Sequence, residues 1–238
     1  MNKQRIWEVD FLRGFLLPGM IAIHLIYDVV DLYGFIHWPY PLWYDIFKNN
    51  YGSLFVVLSG LSATLGSARL KRSAQVLLGG IACTAVTMGM YLLGMADRGV
   101  IIWFGVLHCL GTCMLLWGFL RRLPTWALTG IGAALVAAGW YIRGKVFSFP
   151  WLVMLGFCFP GFASSDYFPL MPHLGYFLLG AVLGRLLYRE KKSLLPGKEN
   201  GFTRFFCFCG RHSLLIYLLH QPLLSLGCEL YSILSKVG

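Results

Sequence analysis

At 238 residues, with 58% hydrophobic and only 13% charged side chains, the chain is too apolar for a soluble domain, which runs about 45–50% apolar and about 25% charged. Its mean hydropathy of +0.67 points to an all-α integral membrane protein, and no polar stretch is long enough for a second domain, so 1–238 reads as a single domain. The net charge of +10 serves mainly as an orientation signal, and nucleic acid is not an expected partner.

The first apolar run, Phe11–Val30, follows Glu8, Asp10 and Arg13. These charges and the lack of a small-residue cleavage site argue against a signal peptide, so the segment is expected to stay in the mature protein. The run carries His24 and Asp28. Ionisable groups in hydrocarbon are costly and usually face a protein interior. Their i,i+4 spacing puts both on one helical face, where the carboxylate could hold the imidazole as a general base.

Further runs lie near 51–68, 74–95, 100–120, 124–142, 169–188 and 213–234, giving about seven transmembrane helices. The segment 146–168 is apolar but broken by Pro150, Gly156, Pro160 and Gly161, and reads as a re-entrant or interfacial segment. With the N-terminus cytoplasmic, 15 of the 20 Lys and Arg fall inside: Lys3, Arg5, Arg13, Arg69, Lys71, Arg72, Arg121, Arg122 and the seven from Arg185 to Arg211. That is the positive-inside pattern. Gly180-x-x-x-Gly184 is a small-residue match for close helix contact.

The seven cysteines lie mostly in apolar runs and read as small core residues. Cys207-x-Cys209 is too close for a zinc pair and has no partner pair, so neither a metal site nor a structural disulfide is expected. At about 1.5 Å per residue, His24 lies roughly 20 Å into its span, with His108 and His173 reaching the same outer half. His212 and His220, in GRHSLLIYLLHQP, enter from the cytoplasmic side with Arg211, near the level of Asp10 and Arg13. A basic inner mouth and a histidine-containing outer half follow.

Asp10-Phe-Leu-Arg13-Gly14, His24, FVVLSG at 55–60, GVLHCLG at 105–111, DYFPLMPHLGYFLLG at 166–180 and GRHSLLIYLLHQP at 210–222 resemble the bacterial members of the heparan-alpha-glucosaminide N-acetyltransferase catalytic-domain family. The two terminal motifs are also similar to the wider group of transmembrane acyltransferases. The resemblance implies an enzyme of the bacterial cytoplasmic membrane that moves an acetyl group from cytoplasmic acetyl-CoA to an amine or hydroxyl of a small-molecule or glycan acceptor. It implies a central histidine too. His24, oriented by Asp28, is the expected base or acyl carrier, with His108 as a second polar partner. The lysosomal enzyme of the family has its proposed catalytic histidine in the loop after the first helix, where this chain has His37 in FIHWPYPLWYD. His37 is therefore the competing candidate.

Asp10, Arg13, Arg211, His212 and His220 are the expected acyl-CoA contacts, since guanidinium recognises phosphate bidentately. Membrane lipids and a second copy of the chain, as a homodimer, complete the expected partners. Two other classes fit parts of the pattern: a proton-coupled transporter or flippase with a histidine–aspartate relay, and a membrane haem protein with paired axial histidines. Neither accounts for the joint occurrence of the terminal motifs.

Overall fold

Each long apolar run forms a helix. The computed structural model describes residues 6–66, 70–148, 150–195 and 200–237. Lys3, Arg5, Arg69 and Lys198, which enter the charge pattern, lie outside the described residues, as does Phe149 of the broken segment. The helices are α1 (Trp7–Tyr27), α2 (Leu42–Leu65), α3 (Leu70–Leu92), α4 (Val106–Leu120), α5 (Thr125–Ile142), α6 (Leu170–Leu187), α7 (Gly201–Arg211) and α8 (Ser213–Val237).

Five helical segments are long and apolar enough to cross a membrane: Trp7–Leu32, Leu70–Leu92, Thr125–Ile142, Leu170–Leu187 and Ser213–Ser235. The expected seven are not reached by this measure. The 15-residue α4 spans only about 22 Å, and the first turns of α2 carry Asp45, Lys48, Asn49 and Asn50. The segment 146–168 forms no α-helix. It holds a 3-10 stretch at Pro150–Leu155 and irregular backbone closed by the bridge between Val146 and Cys158.

The chain divides into two compact units, residues 1–55 with 192–238, and residues 56–191. In the first, α7 crosses α1 at reciprocal glycines. A Cβ on Gly14 would run into the Phe206 carbonyl, and one on Gly210 into the Asp10 carbonyl, so only glycine permits this backbone approach. Around the crossing, Phe11, Phe15, Phe202 and Phe206 pack with ring centroids 4.8–6.2 Å apart. The helix α7 starts from a capping box in which Asn200 Oδ1 accepts from Thr203 N at 2.8 Å and Thr203 Oγ1 accepts from Asn200 N at 2.9 Å.

Beyond α7, α8 runs beside α1 in the same direction. His220 meets His24, Gln221 meets Asp28, Tyr33 donates to the Ser225 carbonyl at 3.1 Å, and Phe35 packs on Tyr231. Glu8, only 5% exposed, ties down the incoming linker: it accepts from Leu194 N at 2.7 Å and Ser193 Oγ at 2.8 Å.

The second unit has its core in Val56, Phe104, Cys109, Cys113, Trp117, Leu128, Phe177, Leu178, Ala181 and Val182. The Gly180-x-x-x-Gly184 pair does make close contact: Gly180 lies on the Val57 backbone and Gly184 on Leu61, joining α6 to the second half of α2.

Candidate functional site

The first unit gathers a polar cluster from the middle of α1 and α8. Each imidazole there is set by its own helix. His24 Nδ1 donates to the Met20 carbonyl at 2.9 Å and His220 Nδ1 donates to the Tyr217 carbonyl at 2.6 Å. A carbonyl only accepts, so both rings carry their proton on Nδ1 and present Nε2 as a lone pair. The rings lie edge to face at 81°, with centroids 4.7 Å apart.

Asp28 opens a wide π turn over Asp28–Leu32, a distortion that often marks functional positions in helices. Its side chain is 0% exposed. The Gln221 amide bridges both carboxylate oxygens, Nε2 lying 2.8 Å from Oδ1 and 3.0 Å from Oδ2. The structure thus corrects the expected pairing, in which Asp28 orients the His24 imidazole. The Met20 carbonyl orients the ring, and Asp28 is held by Gln221 instead.

Two polar atoms in this cluster are buried without a hydrogen-bond partner among the described residues: His220 Nε2 and Gln221 Oε1. Both are acceptors. Such atoms are rare in native interiors and cost about 1–3 kcal/mol each when unmet. Pro222 follows directly and lacks the amide that would continue the α8 ladder, which loosens the helix beside them.

The remaining candidates are placed as follows. His220 does not sit near Asp10 and Arg13 as expected; it stands beside His24, 14 positions or about 21 Å further along α1. The reason is that α7 is a separate helix packed along the N-terminal part of α1, so α8 meets α1 only further along. Arg13 donates to Asp10 at 3.0 Å, next to the glycine crossing. Arg211 is exposed at the end of α7, and His212 caps that helix by donating from Nδ1 to the Phe208 carbonyl at 2.9 Å. His37 is exposed in the loop before α2.

In that loop Tyr40 donates to Asp31 Oδ2 at 2.6 Å, and burial followed by that carboxylate pushes its hydroxyl pKa above the ordinary value.

His108 belongs to the other unit. Gly105 N donates to its Nδ1 at 3.3 Å, which leaves the proton on Nε2, 3.5 Å from Thr84 Oγ1; the threonine hydroxyl in turn donates to the Ile102 carbonyl. Both ring nitrogens are engaged, the geometry of a helix cap. Asp166, from the irregular segment, completes that cap by accepting from Val106 N at 3.0 Å. His173 Nδ1 donates to the Pro169 carbonyl at 2.7 Å in the first turn of α6. Tyr167 donates to the Val153 carbonyl at 2.6 Å and holds the segment closed; burial and the Cys158 thiol push its hydroxyl pKa up.

Gln221 is the participant that sequence reasoning misses. Its only signal is the H-Q-P triplet that follows an apolar helix, since Asp28 lies 193 positions away.

No curated protein and no solved structure matches the chain. The family described as heparan-alpha-glucosaminide N-acetyltransferase, catalytic, matches residues 5–222, nearly the whole chain including the His24–Asp28 and His220–Gln221 pairs, so the protein belongs to this acetyltransferase family.

Proposed function

We propose that the protein transfers an acetyl group from acetyl-CoA to an amine or hydroxyl of a sugar-type acceptor, with His24 as the general base and His220 beside it. The observation that carries this reading is the pair of imidazoles with Nδ1 tied to backbone carbonyls and Nε2 left as acceptors, one of them buried and unmet. An acceptor N–H or O–H supplies what those atoms lack. In the reaction, the acceptor proton passes to His24 Nε2 as the acceptor nitrogen or oxygen bonds to the thioester carbonyl carbon. The C–S bond then breaks, and the CoA sulfur leaves with the proton returned by the imidazolium. Asp28, fixed by Gln221, offers negative charge close to the imidazolium while it exists.

Gln221 Oε1 and His220 Nε2 then serve as acceptors that hold the incoming nucleophile. Arg13, Arg211 and His212, near the α1–α7 crossing and the end of α7, are the groups for the CoA phosphates. The N-terminus is cytoplasmic and the chain crosses a bacterial membrane seven times, with α2 and α4 included. The parallel course of α1 and α8 supports an odd number of crossings, because the first and seventh of an alternating series run the same way.

The test is release of free CoA by detergent-purified protein given acetyl-CoA and glucosamine. His24→Gln should lower kcat about 10²–10⁴-fold, the usual worth of a general base, and His37→Gln should leave it near wild type. Full activity in His24→Gln with none in His37→Gln would transfer the role to the loop histidine. Proton-coupled uptake without CoA release would favour the transporter reading.

A further inference from the structure

The second unit carries a cavity of about 210 Å³ where α2, α4 and α6 end together. Its wall includes Thr64, Trp117, Arg121, Arg185 and Lys191. Three cationic residues thus line one small space, and among the described residues none of them pairs with a carboxylate. Arg185 is locked: it donates to the Leu123 carbonyl at 2.8 Å and the Arg121 carbonyl at 2.6 Å, with its guanidinium carbon 5.5 Å from the Trp117 ring centroid. Arg121 spends only Nε, on the Gly118 carbonyl at 3.3 Å, so its terminal nitrogens remain available. Lys191 is the one non-glycine residue at positive φ among the described residues, at 54°. A left-handed lysine is uncommon and points to a local demand on where its side chain lies.

We propose that this cavity binds a phosphoryl group, with Arg121 and Lys191 as direct ligands and Arg185 as the fixed charge behind them. The chemistry is that of an anion: five-donor guanidinium groups and an ammonium with no counter-charge of their own. The size sets a limit. A space of about 210 Å³ is below the roughly 300–1,000 Å³ of sites that enclose whole small molecules. It holds a phosphate with some water, while the rest of the ligand lies outside. Exposed Phe119, Leu186 and Leu187 flank the helix ends, which suits a ligand whose remainder is apolar. A phospholipid headgroup and a free phosphate share the recognised chemistry, and the site does not depend on the acyl-transfer reading.

The experiment is a binding titration of the detergent-purified full-length protein with short-chain phosphatidylglycerol, with the matching diacylglycerol, and with inorganic phosphate. Wild type should bind phosphatidylglycerol more tightly than diacylglycerol, and added salt should weaken the binding. The double variant Arg121→Gln/Lys191→Asn should lose about tenfold or more in affinity. Asparagine is chosen because it tolerates the left-handed backbone. Arg121→Lys should retain most of the affinity, and an unchanged thermal midpoint in all variants would tie the loss to the cavity. Competition by inorganic phosphate identifies the free anion as sufficient; binding of phosphatidylglycerol without such competition identifies the lipid headgroup. Wild type that binds neither probe, or a double variant that binds like wild type, overturns the proposal.

Discussion

Replacing Gln221 by leucine strips a buried carboxylate of its only side-chain donor among the described residues. The Gln221 amide makes two charge-assisted bonds to Asp28, at 2.8 and 3.0 Å, and Asp28 is wholly buried. Leaving a buried carboxylate without its partner, as when a buried ion pair is broken, costs about 3–5 kcal/mol. Against this, leucine removes the unmet Gln221 Oε1, which returns about 1–3 kcal/mol. The expected net loss is about 2 kcal/mol. Asp28→Leu alone should cost a similar amount, because the amide is then unpaired, but the double replacement should cost much less than the sum. The assay is a double-mutant cycle on thermal or denaturant unfolding in detergent, with near-apolar packing restored in the double variant. Additivity within about 0.5 kcal/mol, the behaviour of independent sites, would refute the pairing.

Gly210→Ala should destabilise by about 1–3 kcal/mol, because its Cβ meets the Asp10 backbone, which cannot turn aside. Gly227→Ala, whose Cβ meets nothing, is the control, and equal midpoints for the two would sink the crossing argument. Asp166→Ala should cost about 0.5–2 kcal/mol by uncapping α4, with new proteolytic cleavage in 146–168; Asp166→Asn, which still offers an acceptor oxygen, should restore most of the loss. The raised Tyr40 hydroxyl pKa predicts a pH effect. The folded chain holds this proton more tightly than the unfolded chain. Its contribution is therefore complete below the unfolded tyrosine value of about 10 and erodes as pH rises above it. Alkaline unfolding curves of wild type and Tyr40→Phe should converge there; unchanged divergence would contradict the reasoning.

The seven apolar runs are legible in the sequence because their hydrophobicity is sustained, and each becomes a helix with shifted ends, five of them long and apolar enough to cross a membrane. GAVLG at 180–184 is legible for a similar reason, since small residues at i and i+4 leave few other uses. The helix α7 is not. Its sequence, GFTRFFCFCGR, has only 11 residues and carries exposed Phe205 and Phe208 as well as Phe202 and Phe206, which pack on α1, so no clean apolar stripe marks it as a separate helix. The last run, 213–234, matches α8, but nothing in it shows that α7 packs along the start of α1 and so sets His220 beside His24, not beside Asp10 and Arg13.

The His24–Asp28 spacing is visible too, yet spacing says only that two side chains share a face. The nearer backbone carbonyl of Met20 takes the imidazole proton, which frees Asp28 for a residue 193 positions away. No local pattern reports such a partner.

The parallel pairing of α1 with α8 also sets an order of events during biosynthesis. At about 5–20 residues per second, the 193 positions between Asp28 and Gln221 take roughly 10–40 seconds to synthesise. Throughout that interval the first helix carries a carboxylate whose donor does not yet exist, in a setting where such a charge is expensive. The polar cluster is therefore assembled last, and a ribosome that stalls before Gln221 leaves behind an unfinished first helix, suited to recognition by quality-control proteases.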